Sequence, residues 1–356
     1  MIDFLIIGGG MAGASTAARL APLGRTVLLE MEPALGYHAS GRSAALYEAQ
    51  YGEPATVVLN LAGRAFFDEH DLLSPRGFMV LAPKDDQDGF KTACATFGCS
   101  SLTLDEAQAI VPILNPDHIG FVGLSSEAMD IDTDRMLQIF AKMARAEGGQ
   151  ILTDHRVQSI ERLSSGWRVT TQHGDFEAKV LINAAGAWAD DIAKLADLSP
   201  IGIVPKRRSM ARIPAPGGHD VSGWPMLMDV YEKWYAKPDA GKLLVSPADE
   251  DPQVPHDAWA DDMVLAEGIA RYQPFVTEEV TRVENTWAGL RSFAPDKNLV
   301  IGPSPEDSSF FWMAGQGGSG IQSAPAYSQY AADLIAGRAS DVAEITAAVT
   351  PARFGR

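Results

Sequence analysis

Cysteine is nearly missing from this chain: Cys94 and Cys99, with four residues between them, are its entire complement. Two cysteines with no histidine cluster nearby indicate neither a disulfide framework nor a zinc site, and both read as ordinary thiols. No metal site is expected. Long apolar runs are lacking too, and nothing approaches the ~20 consecutive apolar residues that span a bilayer, so a soluble chain without a transmembrane segment is expected. The opening residues carry no basic export leader, and a reducing cytoplasm is the expected location. Basic residues are scarce, 29 against 46 acidic ones, and the net charge of −17 argues against nucleic acid as a partner. An anionic ligand must then be held by a few local arginines against the overall field. Internal repeats and low-complexity tracts are absent. With 356 residues the chain can form one or two domains, interleaved or not.

What is present first is a short apolar run, Ile2 to Ile7, that breaks into Gly8-Gly9-Gly10-Met11-Ala12-Gly13. The run suits a buried parallel strand, Ala12 to Leu23 carries small and apolar residues at helical spacing, and Thr26 to Leu29 closes on the acid Glu30. This is a β-α-β unit of about 30 residues, the context that turns a weak glycine pattern into a dinucleotide-binding one. Gly8 allows the sharp turn, Gly10 lets the backbone approach a pyrophosphate, and Gly13 lets helix and strand pack closely while the helix amino end faces the phosphates. Glu30 stands where a carboxylate accepts hydrogen bonds from an adenosine ribose.

Further on, Asp132-Thr133-Asp134 opens an amphipathic helix that runs to Ala146. Strands are expected over 150–153, 158–162 and 167–171, and Val180 to Trp188 reads as a buried strand ending in small residues, where backbone can approach a ligand. From 201 to 300, frequent prolines break the chain into short strands and loops with a helix only over 263–272, the pattern of an antiparallel sheet in a separate layer. Phe310 to Gly315 is a last apolar strand, Gly317-Gly318-Ser319-Gly320 a flexible turn, and Ile321 to Ala336 a closing helix. Ala45 to Tyr51, between Gly41 and Gly52, reads as a candidate lid.

Together these blocks resemble the FAD-dependent amino-acid oxidoreductases of the D-amino-acid oxidase type, and within them the D-arginine dehydrogenases. The likeness rests on the glycine motif with Glu30, on Gly36-Tyr37-His38-Ala39-Ser40-Gly41-Arg42-Ser43-Ala44-Ala45, on residues 183–188, and on Pro205-Lys206-Arg207-Arg208-Ser209. It rests equally on Tyr235-Ala236-Lys237-Pro238-Asp239-Ala240-Gly241, Thr286-Trp287-Ala288-Gly289-Leu290-Arg291-Ser292-Phe293 and residues 316–322, so that nearly the whole length is covered. It implies an α/β fold in which a Rossmann-type FAD-binding domain, a parallel sheet with flanking helices, is interleaved with an α+β substrate domain on a mainly antiparallel sheet. The first would comprise residues 1–76, 131–204 and 292–356, the second 77–130 and 205–291. Cofactor contacts are implied for Gly8, Gly10, Met11, Ala12, Gly13, Glu30, Arg42, Ser43, Ala44, Val157, Ala185, Gly186, Trp188, Gly317, Gly318, Gly320, Ile321 and Gln322. Several relatives tether the flavin to a cysteine; the segment Ala294-Pro295-Asp296-Lys297-Asn298 has none, so FAD without a covalent link is expected.

An arginine fork matches a planar carboxylate in a bidentate way, and Arg291 follows the mostly apolar Trp287-Ala288-Gly289-Leu290, where a charge needs a reason. The resemblance places Arg208, Arg291 and the hydroxyls of Tyr51 and Tyr235 around a substrate carboxylate, with the Gly318 carbonyl near the amine. Arg207, Arg212 and Arg282 read as solvated, and His38 as a structural hydrogen-bonding residue. The side-chain pocket departs from the family. Phe78 replaces the glutamate that receives a guanidinium, Leu46 replaces a histidine, and Glu48 stands where the relatives have threonine.

A cation facing Phe78 and Leu46 would be unpaired and strongly disfavoured. The expected substrate is therefore a D-amino acid, or related secondary amine, with an apolar or neutral side chain. Hydride transfer from Cα to flavin N5 would give an imino acid that hydrolyses to a 2-oxo acid and ammonia. The alternatives are a D-arginine or D-lysine dehydrogenase using Glu48, and a glycine- or sarcosine-oxidase-like activity producing hydrogen peroxide. The electron acceptor stays open between a quinone, a dye-like carrier and dioxygen. A nicotinamide enzyme would leave the last glycine block unexplained, and a ligand-sensing flavoprotein would not need the arginine and tyrosine set.

Overall fold

The computed structural model describes residues 1–355. A strand buried on both faces needs no polar alternation, and the run Ile2–Ile7 accordingly lies inside a parallel sheet, with Ile7 paired to Leu29 on one side and Asn183 on the other. The parallel strands follow the order Gln150–Leu152, Thr26–Leu29, Ile2–Ile7, Gly174–Asn183 and Phe310–Ala314. Their carboxyl ends open on one crevice: Gly8, Glu30, Ala184 and Gln316, each within two residues of a strand end, line the same cavity. That is where open α/β sheets bind ligands.

Helices Met11–Leu20, Thr133–Ala146 and Ala324–Ile335 cover one face, where Met11, Ala14, Phe140 and Tyr327 meet Ile6, Leu28 and Phe311. On the other face Leu5, Val27, Leu181 and Trp312 pack with Trp167 and Ile192. Asp132 caps the second of these helices by accepting from Arg135 N at 3.0 Å, as the sequence predicts. The closing helix starts at Ala324 rather than Ile321, because the chain is still turning after Gly317, whose φ is +54°.

The second sheet has eight strands, ordered Asn285–Phe293, Val204–Ile213, Lys242–Ser246, Tyr235–Asp239, Met226–Asp229, Phe78–Pro83, Ile119–Ser125 and Ser100–Leu102. Neighbours are antiparallel except Met226–Asp229 beside Phe78–Pro83. Alternation sorts its two faces. Met79, Leu81, Leu227 and Val245 join the core that holds Tyr272, from the helix Asp262–Tyr272, and Trp234. Phe78, Val80, Met210, Met226, Met228 and Tyr235 form the opposite face, toward Ala44, Leu46 and Tyr51. A parallel sheet under helices joined to a mainly antiparallel sheet is the α/β architecture expected from the sequence.

The candidate lid at 45–51 is fastened instead. Leu46–Tyr47 pairs with Met129–Ile131, Tyr47 OH donates to Asn60 O at 3.0 Å, and Glu48 N donates to Gln322 Oε1 at 2.9 Å. Opening it would leave buried polar groups unmatched. Among the described residues no helix is long and apolar enough to cross a membrane.

Candidate active site

Both sheets contribute walls to a cavity of about 490 Å³. Its first wall is the glycine turn. Gly8 has φ +109°, and a β-carbon there would lie 2.4 Å from Ala184 O; one on Gly13 would lie 1.8 Å from Gly8 O. Side chains are excluded at both positions. Gly13 does not itself line the cavity; it lies against Gly8 and lets the helix approach the strand. Gly10 caps that helix without a side chain, and Gly10, Met11 and Ala12 present its amino end to the cavity, where Ser40 Oγ accepts from Met11 N at 3.0 Å. An amino end so presented attracts anions.

Glu30 is 7% exposed and accepts from Gly9 N at 2.5 Å and Glu32 N at 2.9 Å. Burial pushes its carboxyl up, against the pull of those two N–H groups. It therefore braces the glycine turn as well as facing the cavity, a second role the sequence did not disclose. Arg42, an implied cofactor contact, lines the cavity and directs its guanidinium to Asp257 Oδ1 at 2.6 Å, Ala258 O at 2.9 Å and Ala288 O at 3.1 Å. Its charge is matched within the protein. Ser43, Ala44, Val157, Ala185, Gly186, Trp188, Gly317, Gly320, Ile321 and Gln322 all line the cavity. His38 lines it too, and its Nε2 meets Glu32 Oε1 at 3.0 Å.

On the opposite wall, Arg208 and Arg291 come from adjacent antiparallel strands, Arg208 opposite Gly289 and Lys206 opposite Arg291. Arg291 Nη2 meets Glu250 Oε1 at 2.5 Å, and Arg208 Nη2 meets the same oxygen at 3.4 Å. Arg291 Nη1 and the Tyr51 hydroxyl both lie beside Gly318, 3.1 and 3.2 Å from where its β-carbon would be. Tyr235 OH donates to Met210 Sδ at 3.6 Å, and the Arg208 guanidinium lies 5.7 Å from the centre of the Tyr235 ring. Burial pushes the Tyr51 phenol up, with Arg291 and Arg208 pulling the other way, so it stands as a neutral donor. This wall can take an anion.

Next to it, Leu46, Phe78, Phe97, Met210, Met226 and Met228 form an apolar wall. The methionines and Phe97 escaped the sequence reading, although Met226 with Met228, and Arg208 with Met210, stand at the two-residue spacing of one strand face. Glu48 also lines this part and is buried, 8% exposed, not solvent-facing. Its Oε1 accepts from Gln50 N at 3.2 Å, and burial pushes its carboxyl up, with Glu127 adding and the Gln50 N–H opposing. Glu232, also missed, lines the cavity, its carboxyl raised by burial against Arg208 and Arg291. Arg207 is not solvated as expected. Its side chain is 11% exposed and pairs with Asp249 at 2.9 Å and Asp251 at 2.6 Å, because Asp249-Glu250-Asp251 lies along Lys206-Arg207-Arg208.

Residues 3–334 match the family described as FAD dependent oxidoreductase. The chain belongs to that family. As a FAD dependent oxidoreductase it is an enzyme that uses FAD, and the cavity fits that group: a glycine turn with no room for side chains, a helix amino end for the pyrophosphate, and a buried acid after the second strand. Among its relatives, one component of the anaerobic glycerol-3-phosphate dehydrogenase of Escherichia coli is 31% identical over 217 residues, 55% of this chain and 39% of that protein. The match thus spans well under half of that relative. Two solved structures share the fold: L-proline dehydrogenase from P. horikoshii, with TM-score 0.82 and 22% identity over 100% of this chain and 98% of that one, and glycine oxidase from Geobacillus kaustophilus, with TM-score 0.81 and 23% identity over 95% of each.

Proposed function

We propose that this FAD dependent oxidoreductase oxidises a D-amino acid with an apolar or neutral side chain, releasing an imino acid that hydrolyses to a 2-oxo acid and ammonia. The observation that carries the reading is the convergence of Arg291 Nη1 and the Tyr51 hydroxyl beside Gly318, on the wall that also holds Arg208 and Tyr235. Guanidinium and phenol donors together suit one planar carboxylate. The bound FAD supplies the hydride acceptor, its N5. Arg208, Arg291, Tyr51 and Tyr235 grip the carboxylate, the Gly318 carbonyl accepts from the amine, and the Leu46, Phe78 and methionine wall receives the side chain and keeps water from it. Orientation is the protein's main contribution.

Gly8, Gly10, Met11 and Ala12 hold the pyrophosphate in this reading, Glu30 the ribose, and Val157 the adenine side, while Ala185, Gly186, Trp188 and residues 317–322 support the ring system. Neither Cys94 nor Cys99 lines the cavity, which supports non-covalent binding.

Steady-state assays over a panel of amino acids test the substrate. Higher kcat/KM for D-leucine, D-methionine, D-phenylalanine or D-proline than for D-arginine or D-lysine is expected, with L enantiomers inert. Arg291→Met should lower kcat/KM at least about thirtyfold, by stranding the carboxylate. A preference for D-arginine or D-lysine would favour the second reading, in which the buried Glu48, whose Oε2 has no partner, meets a cationic side chain. Peroxide yield per turnover in air separates dioxygen from a quinone or dye-like carrier as acceptor.

A further inference from the structure

Lys206, Arg208 and Arg291 place three positive charges on one face of two adjacent strands, Lys206 directly opposite Arg291 and Arg208 two residues along the strand from Lys206. Like charges so placed repel. A single carboxylate answers all three: Glu250 Oε1 lies 2.5 Å from Arg291 Nη2 and 3.4 Å from Arg208 Nη2, and its Oε2 lies 3.2 Å from Lys206 Nζ. Both arginines line the cavity; Glu250 does not. Its own place is set by its neighbours in the chain. Asp249 accepts from Ser209 N at 2.6 Å and Ser209 Oγ at 2.8 Å, and Arg207 N donates to Asp251 O at 2.9 Å. Burial works to raise the Glu250 carboxyl, but Arg291, Lys206 and Arg208 outweigh it and hold the group below the ordinary carboxylate range.

We propose that Glu250 is a positioning residue for substrate recognition: by engaging Nη2 of both arginines it fixes the guanidinium pair and leaves the remaining donors for a ligand carboxylate. This rests on the reading of Arg208 and Arg291 as the carboxylate site. The donors so left are visible at Arg291, whose Nη1 stands beside Gly318 and whose Nε is buried without a partner. Without Glu250 the three cations separate, and the fork loses its orientation while its charge remains. Glu250 touches neither substrate nor cofactor in this arrangement; it acts through the arginines.

The test uses the FAD-loaded enzyme titrated with benzoate, a carboxylate that cannot be oxidised at Cα, with binding followed by the flavin absorbance. Glu250→Ala should raise both the benzoate Kd and the substrate KM about tenfold while kcat changes less than about threefold. Glu250→Gln keeps an acceptor at the same reach and should recover part of the loss, with Kd raised about threefold; it carries the test if the alanine variant fails to fold. Unchanged or tighter benzoate binding in the variant that folds would overturn the proposal, showing Glu250 to be inert or a competitor for the arginines. Arg291→Met separates the two levels. If it weakens benzoate binding while Glu250 variants do not, only the positioning role fails; if it too leaves binding unchanged, the carboxylate site itself is misread.

Discussion

Gly318 and Arg291 are packed so closely that a methyl group on the glycine would stand 3.1 Å from the guanidinium Nη1, and 3.2 Å from the Tyr51 hydroxyl as well. Gly318→Ala should therefore displace both donors by a few tenths of an ångström. The expected result is a KM raised about tenfold with flavin content and melting temperature near wild type, since small misplacements of binding groups are costly to turnover. Unaltered KM would mean that the substrate anion is bound elsewhere.

Gly13 makes a harder steric demand, because its added carbon would meet the Gly8 carbonyl oxygen at 1.8 Å, and that oxygen is backbone. Gly13→Ala must push the helix away from the strand and spoil the turn between them. Destabilisation of about 3 kcal/mol or more is expected, together with loss of FAD, read from the flavin-to-protein ratio and thermal melting. A fully yellow, stable variant would show that the helix can withdraw without harm.

Lys237, on the strand Tyr235–Asp239, ties the second sheet to the segment at Ala44: its Nζ lies 2.7 Å from Asp130 Oδ1 and donates to Ala44 O at 2.5 Å, while Asp130 also pairs with Arg76 at 2.6 Å. The lysine is buried, 8% exposed. Lys237→Met should lower stability by about 2–3 kcal/mol, less than for a pair left wholly unmatched because Arg76 still serves Asp130. It should also loosen Ala44 to Leu46 and flatten the selectivity among side chains in the substrate panel. Denaturant unfolding and the panel assay check these separately.

Glu48 is held above its ordinary pKa of 4.5 by burial. A carboxyl whose folded pKa is raised binds more protons folded than unfolded, so its contribution to stability is greatest at low pH and is lost as pH rises from about 4.5 through the raised value. Glu48→Gln removes that slope and retains an acceptor for Gln50 N. The variant should melt higher than wild type near pH 7–8, with the gap closing toward pH 4. A constant gap across this range would show that Glu48 does not titrate abnormally.

The first β-α-β unit was legible in the chain because glycine sterics and the burial of a contiguous apolar run are local constraints; Gly8, Gly13 and Glu30 stand where the motif requires. Arg291 was legible for a related reason, a charge following apolar residues. Arg207 was misjudged, since a run of basic residues looks solvated until its acidic partners are brought alongside. Glu250 gave no sign for the same reason; Met226 and Met228 were hidden in a strand of only four residues, and Met210 in a longer strand whose basic residues drew the reading.

The glycine turn, the alternation of helix and strand, and the residue types available to meet an anion can be read along the chain, because each depends on neighbours within a few positions. Long-range packing is what fastens Ala45 to Tyr51, buries Glu48 and lets one carboxylate gather Lys206, Arg208 and Arg291. Charge pairing and burial depend on strand register between segments far apart in the chain, and register exists only once both sheets have assembled.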